Sequence, residues 1–292
     1  MQAVQQVVDG LASGSIHAAL ALAIVLSHRA TGVINFAQGE MAVFSAYLAW
    51  TFISLGLPVI AGIALAMVVS IPFGALIERT VIRRFERESP LVAIVVTVGL
   101  LIFLNGVVGQ VWGLVLKPFP AIFPAEVVRL GGVAISVPSL GNIVTLIVVV
   151  GLLQLLFLRT RFGLAMRAVA INPDSSALSG LPVGRLLMAG WGLAAALGAL
   201  AGCLVAPKLY LEPNMMGSIL IYSLAAAILG GLDSPLGAVL AAWIIGVAEN
   251  LAGTYIGIIG NDLKIAIPLL IVCLALVVRP QGLFGQRDVV RV

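Results

Sequence analysis

Long apolar runs separated by short polar interruptions fill this chain from end to end. A helix needs about 20 apolar residues to cross a bilayer, and runs of that order fall at 11–28, 36–55, 57–77, 91–112, 140–158, 186–206, 214–231, 236–252 and 263–279. The pattern predicts an all-α polytopic integral membrane protein with about 8–9 transmembrane helices, the count turning on how the shorter runs are divided. The longest polar connections, 113–139 and 159–185, are too short to hold a further folded domain. Residues 1–292 are therefore read as a single transmembrane domain, without a convincing internal repeat.

Basic residues give this reading a direction, because Lys and Arg in short loops mark the cytoplasmic side. With the amino terminus outside, the inner segments hold Arg29; Arg79, Arg83, Arg84 and Arg87; Arg159, Arg161, Arg167 and Arg185; and Arg279, Arg287 and Arg291. The outer side keeps Lys117, Arg129, Lys208 and Lys264. Twelve of the sixteen basic residues then lie inside, which predicts an outside amino terminus, a cytoplasmic carboxyl terminus and an odd number of spans. Met1–Leu26 has no basic stretch ahead of its apolar run, so the first span is expected to stay in the mature protein.

Composition closes off other classes. With 61% hydrophobic and 10% charged residues, too little polar surface remains to solvate a globular domain. The net charge of +4 is then a topology signal; a nucleic-acid footprint would need a basic face on a soluble domain. Cys203 and Cys273 lie within apolar runs and read as small packing residues. Trp50 and Trp112 sit near outer run ends, where an aromatic belt is expected, whereas Trp243 falls mid-run. Gly10 with Gly14, Gly198 with Gly202, and Gly253 with Gly257 make small-residue ridges for close helix approach.

Polar residues inside apolar runs carry the candidate chemistry, since an ionisable group at bilayer depth is costly and marks function. The first group is Asn35, Gln38, Gly39 and Glu40. Asn35 and Gln38 have the spacing of a capping box that would start a helix at Phe36, with Glu40 in its second turn near the positive helix end. These residues read either as a capped helix start with an interfacial Glu40 or as the lining of a path for a polar solute. A second break, Gly230, Gly231, Asp233, Ser234 and Pro235, reads as a further pathway segment or as a tight turn. The third group is the connection 159–185. There a helix up to Ile171 stops before Pro173, Asn172 caps a second short helix containing Asp174, and Gly180 terminates it in the left-handed region. Such a compact helix pair suits docking to a cytoplasmic partner.

The segments TGVINFAQGEM at 31–41, the Arg167–Gly180 loop, AAILGGLDSPLGAVL at 226–240 and PLLIVCLALVVRPQGLFG at 268–285 occur in an order that resembles LivH-type permeases. These belong to ABC importers for branched-chain amino acids, in a branch that also includes urea and short-chain amide permeases. The resemblance implies a bacterial cytoplasmic (inner) membrane protein and a second, related permease chain. It further implies two cytoplasmic ATPase subunits and an external or periplasmic substrate-binding protein. It makes 159–185 a coupling loop, with Arg167, Asn172, Asp174 and Gly180 as its fixed points. Gln38 stands where many relatives carry His, so no titratable group is expected there.

The chain itself carries no G-x-x-x-x-G-K-[ST] phosphate loop, so ATP hydrolysis is expected in a partner subunit and no cofactor in this chain. His17 and His28 lack a second ligand at metal spacing and read as packing and interfacial residues. The acid-rich stretch Glu78–Glu88 is interleaved with arginines and reads as a solvated loop, which leaves no clustered site for a membrane enzyme. A secondary transporter remains the other functional class; it would work without ATP and need no ordered inner loop.

Overall fold

The computed structural model describes residues 2–85, 88–130, 133–256, 263–279 and 281–285. Arg87, Gly257, Arg287 and Arg291, used above, lie outside them. Each apolar run coincides with a helix: α1 (Gln2–Thr31), α2 (Gln38–Ser54), α3 (Val59–Thr80), α4 (Pro90–Trp112) and α5 (Val137–Arg159), then α8 (Val183–Leu209), α9 (Gly217–Gly230), α10 (Pro235–Tyr255) and α11 (Ala266–Val278). The short helices α6 (Arg161–Ile171) and α7 (Pro173–Leu178) lie between α5 and α8.

Six of these helices, α1, α3, α4, α5, α8 and α10, are long and apolar enough to cross a membrane. At 1.5 Å per residue, α2 reaches about 26 Å, α9 about 21 Å and α11 about 20 Å, short of a hydrocarbon core of about 30 Å.

The connection 113–139 departs from an all-helical chain. Strands β1 (Val127–Leu130) and β2 (Val133–Ser136) form an antiparallel hairpin with Val127 opposite Ser136, in a stretch whose β-branched residues suit a pleated edge. The Gln5 side chain clasps it, donating to the Ala134 carbonyl and accepting from the Ala134 amide, both at 2.8 Å. Lys117 and Leu211 exchange backbone hydrogen bonds at 3.0 and 2.9 Å, so the hairpin connection is also tied to the turn after α8.

At the centre of the bundle α1 packs against α10, α8, α9 and α5. Leu20 to Leu26 are buried on every side, as expected of a helix apolar all round and enclosed by protein. Small residues permit the approach. A Cβ at Gly10 or Gly14 would meet the α10 backbone at Val247 or Ala242, and one at Gly246 would meet the backbone of both glycines. Gly198 and Gly202 of α8 receive α2 at Gln38 and Ala42 in the same way.

Large apolar side chains point away from the protein on the peripheral helices, among them Ile60 on α3, Leu91 on α4, Leu152 on α5 and Val277 on α11. Cys203 is buried and Cys273 exposed, both free. The indoles are satisfied locally: Trp50 donates to the Pro118 carbonyl, Trp112 to Thr51 and the mid-helix Trp243 to Ser15.

Two sequence readings change here. Glu78 does not belong to a solvated loop: it is fully buried on α3 and takes two hydrogen bonds from Arg83, at 3.0 and 2.6 Å, while Arg83 also donates to the Gly184 carbonyl at 2.6 Å. A buried carboxylate needs such a partner, and this one ties the α3–α4 connection to the start of α8. The proposed capping box at Asn35 and Gln38 also fails to form. Helix α2 starts at Gln38 behind Ala37, without a side-chain cap at that position.

Candidate functional site

Between Thr31 and Gln38 the chain leaves α1 and turns back, and this break sets the position of the polar residues on α2. Asn35 accepts from the Ala37 amide at 3.0 Å and donates to the Gln38 side-chain oxygen at 2.9 Å. The remaining Gln38 donor reaches the Ala194 carbonyl of α8 at 3.0 Å. Both side chains are completely buried. Buried amides are tolerated only with their hydrogen bonds made, so Asn35 and Gln38 lock the start of α2 onto α8 rather than facing open space.

That lock turns the next residues toward a cavity of about 400 Å³ between α2, α4 and α9. Gly39, Glu40, Asn105, Asn214 and Gly217 line it, with Leu101, Ile102, Met216 and Leu220 as its apolar walls. Asn105 Nδ2 is the hub: it lies 3.0 Å from Asn214 Oδ1, 3.2 Å from the Pro213 carbonyl and 3.4 Å from Glu40 Oε2. An amide nitrogen has two hydrogens, so the long Glu40 contact is the weakest of the three. Glu40 therefore keeps acceptor capacity for another donor. Gly39 faces Leu220 of α9 and Met216 just ahead of it, where a Cβ would make ordinary van der Waals contact.

Asn105 and Asn214 were absent from the sequence-derived candidates. Asn105 is a single polar residue within α4 and Asn214 stands at the start of an apolar run; Asn105 meets Glu40 and Asn214 across 65 and 109 positions of sequence. A polar residue well inside an apolar run was the available signal at Asn105.

The second break is placed elsewhere. Gly231 has φ +97° and its backbone lies against Gly285, while Gly230 packs on Gly237. Leu283 and Phe284 donate backbone hydrogen bonds to the Leu229 and Gly230 carbonyls. Ser234 caps α10 by accepting from the Gly237 amide. The segment is a tight turn closed by the chain beyond α11, and Gly230, Gly231 and Asp233 do not line the cavity at Glu40. Asp233 instead approaches His28 at the end of α1, Oδ1 to Nδ1 3.7 Å.

The helix pair in 159–185 follows its local chemistry. Thr160 accepts from the Gly163 amide at 3.0 Å, which starts α6 at Arg161. Asn172 accepts from the Ser175 amide at 2.9 Å, Pro173 opens α7, and Asp174 lies in its first turn. Gly180 follows with φ +82°. Ile171 and Leu178 stand almost fully exposed on this pair, whereas Arg167 turns inward.

His17 packs between helices, as its sequence context suggests. It stacks on Tyr222 at 4.6 Å, and the Tyr222 hydroxyl bonds to Glu249 at 3.2 Å, a polar chain through α1, α9 and α10 apart from the Glu40 cavity. Among the described residues no group of three or more His, Cys, Asp or Glu has metal-binding geometry.

A family profile described as branched-chain amino acid transport system / permease component matches residues 6–276. The chain is similar to the high-affinity branched-chain amino acid transport system permease protein BraD of Pseudomonas aeruginosa, 30% identical over 99% of this chain and 97% of that one. It is 27% identical to the corresponding LivH of Escherichia coli over the same shares. A probable branched-chain amino acid transport permease, LivH of Methanocaldococcus jannaschii, is 28% identical over 91% of this chain and 87% of that one. Matched over residues 6–276 by the family profile and over 99% of its length by BraD, this bundle of apolar helices belongs to the branched-chain amino acid transport permease family.

Proposed function

We propose that this chain is a translocation subunit of an ATP-binding-cassette importer that moves branched-chain amino acids across the bacterial cytoplasmic membrane. The observation that carries the reading is the composition of the cavity at Glu40. A carboxylate and two amides line it together with leucine, isoleucine and methionine side chains. A branched-chain amino acid carries matching groups: Glu40 suits its ammonium, the Asn214 side-chain nitrogen its carboxylate, with Asn105 holding Asn214 and Glu40 in place, and the apolar wall its side chain. Gly39 belongs to the pathway with them. Asn35 and Gln38 contribute by holding α2 in register, and Gly230, Gly231 and Asp233 by forming the turn at the second break.

The ATPase subunits, the second permease chain and the external binding protein follow from the family. We assign the ATPase contact to α6 and α7, where exposed Ile171 and Leu178 offer an apolar knob stiffened by Asn172, Asp174 and Gly180. Uptake by the reconstituted importer tests the substrate. Leucine, isoleucine and valine are expected to compete with one another and to depend on ATP, with urea and short amides at least about ten-fold weaker because they leave the apolar wall uncovered. Preference for urea, for a strongly charged solute, or uptake without ATP would overturn the assignment.

The arginine distribution orients the subunit with its amino terminus outside and the 78–90 and 159–185 connections in the cytoplasm. Ser89, exposed at the start of α4, reports on this. Ser89→Cys in a cysteine-free background is expected to resist an impermeant thiol reagent in intact cells and to react in inverted vesicles. Labelling from outside would reverse the orientation.

A further inference from the structure

Arg167 and Arg29 converge from different elements on one recess. Arg29 ends α1 and lies with its guanidinium 5.5 Å from the ring centre of Phe157 on α5, while Arg167, on α6, has a buried Nε without a hydrogen-bond partner. Both arginines wall an open recess of about 870 Å³, together with His28, Thr31, Leu164 and Asp233. They also wall a narrower space of about 100 Å³ that runs between α1 and α5 past Leu22, Val150, Leu153 and Leu158.

Charge and shape point to the same kind of occupant. Two guanidinium groups within electrostatic reach of each other repel, and although Asp233 also acts on Arg29, the buried Arg167 Nε is left unpaired, which is costly, so an anion between the two arginines would complete the arrangement. Asp233 is the acid lining the recess; it is largely exposed and directed at His28, and no acid lines the narrower space. Apart from Gln154 that space is apolar below the arginines, and it borders α5, whose outward residues Leu152, Leu155 and Leu158 are exposed. A soluble anion would use the arginines and leave the apolar channel empty. An acidic side chain of an ATPase subunit would do the same.

We propose that this recess binds an anionic phospholipid, its phosphodiester between Arg29 and Arg167 and an acyl chain along Leu22, Val150, Leu153 and Leu158. Basic pockets between membrane helices recognise anionic headgroups in this way. The lipid would bridge α1, α5 and α6 and so brace the base of the 159–185 helix pair from within. Arg167 then acts as a headgroup ligand rather than as part of the outward ATPase contact.

Purified, delipidated importer incubated with equal amounts of phosphatidylglycerol and phosphatidylethanolamine, and read by native mass spectrometry, tests the proposal. Phosphatidylglycerol is expected to be retained preferentially. Each basic side chain facing an anionic lipid contributes a factor of about five, so the double variant Arg29→Gln/Arg167→Gln should lower that retention by roughly twenty-five-fold. Leu158→Glu leaves both arginines in place and puts a carboxylate on an exposed wall position of the channel. It should cause a comparable loss even if the double variant fails to assemble.

Inorganic phosphate and glycerol 3-phosphate, lacking acyl chains, should displace the lipid poorly. Efficient displacement by either would make this a soluble-anion site and overturn the proposal. Equal retention of the two lipids by wild type, or undiminished retention in Leu158→Glu, would do so as well. Loss of ATPase co-purification with unchanged lipid retention in the double variant would transfer the arginines to the ATPase contact instead.

Discussion

Replacing Glu40 by Gln is expected to lower leucine uptake by about ten-fold or more while leaving the membrane level and assembly of the chain near wild type. The substitution keeps the side chain's shape and an acceptor oxygen for Asn105, whose contact at 3.4 Å is the weakest in its set, so packing has little to lose. A substrate ammonium loses a charged partner, and a hydrogen bond to a charged group is worth about 1.5–3 kcal/mol. Asn105→Ala separates fold from transport less cleanly, because it also takes a donor from Asn214 and the Pro213 carbonyl. Uptake in proteoliposomes, normalised to assembled complex, makes the measurement. Wild-type uptake by Glu40→Gln would reduce Glu40 to a helix-start residue and remove the charge from the proposed recognition scheme.

Gly180→Val is expected to leave the membrane bundle folded, reduce co-purification of the ATPase and abolish most substrate-stimulated ATP turnover. At φ +82° a Cβ at this position meets no atom within 4 Å, so crowding is not the difficulty. The cost lies in the backbone: an L-residue in the left-handed region loses about 1–2 kcal/mol, and a β-branched one is a genuine outlier there. Helix α7 spans 6 residues, too few to hold itself without its caps, so the penalty falls on the position of Leu178 and the chain leading into α8. Asn tolerates this conformation, and Gly180→Asn should recover most of the lost activity. Equal impairment by Val and Asn would mean that the missing side chain, rather than the conformation, matters at this position. Unimpaired Gly180→Val would withdraw the coupling role from the helix pair.

Features settled by neighbours in sequence were legible before any tertiary structure. Asn172 caps α7 by reaching an amide three residues on, Pro173 opens that helix, and Gly180 adopts the positive φ that ends it; each follows from hydrogen bonds and torsions within one turn. The start of α2 shows where the same reasoning stops. Asn35 and Gln38 have capping-box spacing, but a buried carbonyl at Ala194, 156 positions away, takes the Gln38 amide, and the local motif gives way to a tertiary hydrogen bond. Glu78 likewise looked solvated among arginines until α3 and α8 came together around Arg83.

Hydrophobic patterning by itself determined that the chain is a membrane bundle and where its helices run, because the bilayer imposes length and apolarity on any segment that crosses it. Which helices stand at the centre was decided by the tertiary structure, in an order that apolarity alone would reverse. The apolar stretch of α1 is 89% buried inside the protein and that of α5 is 17% buried, although α5 is the more hydropathic. Lipid accepts only apolar surface, so the most apolar helices line the outside. The interior can hold glycines, for close approach, and polar groups that satisfy one another. The meeting of Glu40 with Asn105 and Asn214 belongs to this second kind of information: the start of α2, the body of α4 and the turn ahead of α9 must pack before a carboxylate and two amides share one cavity.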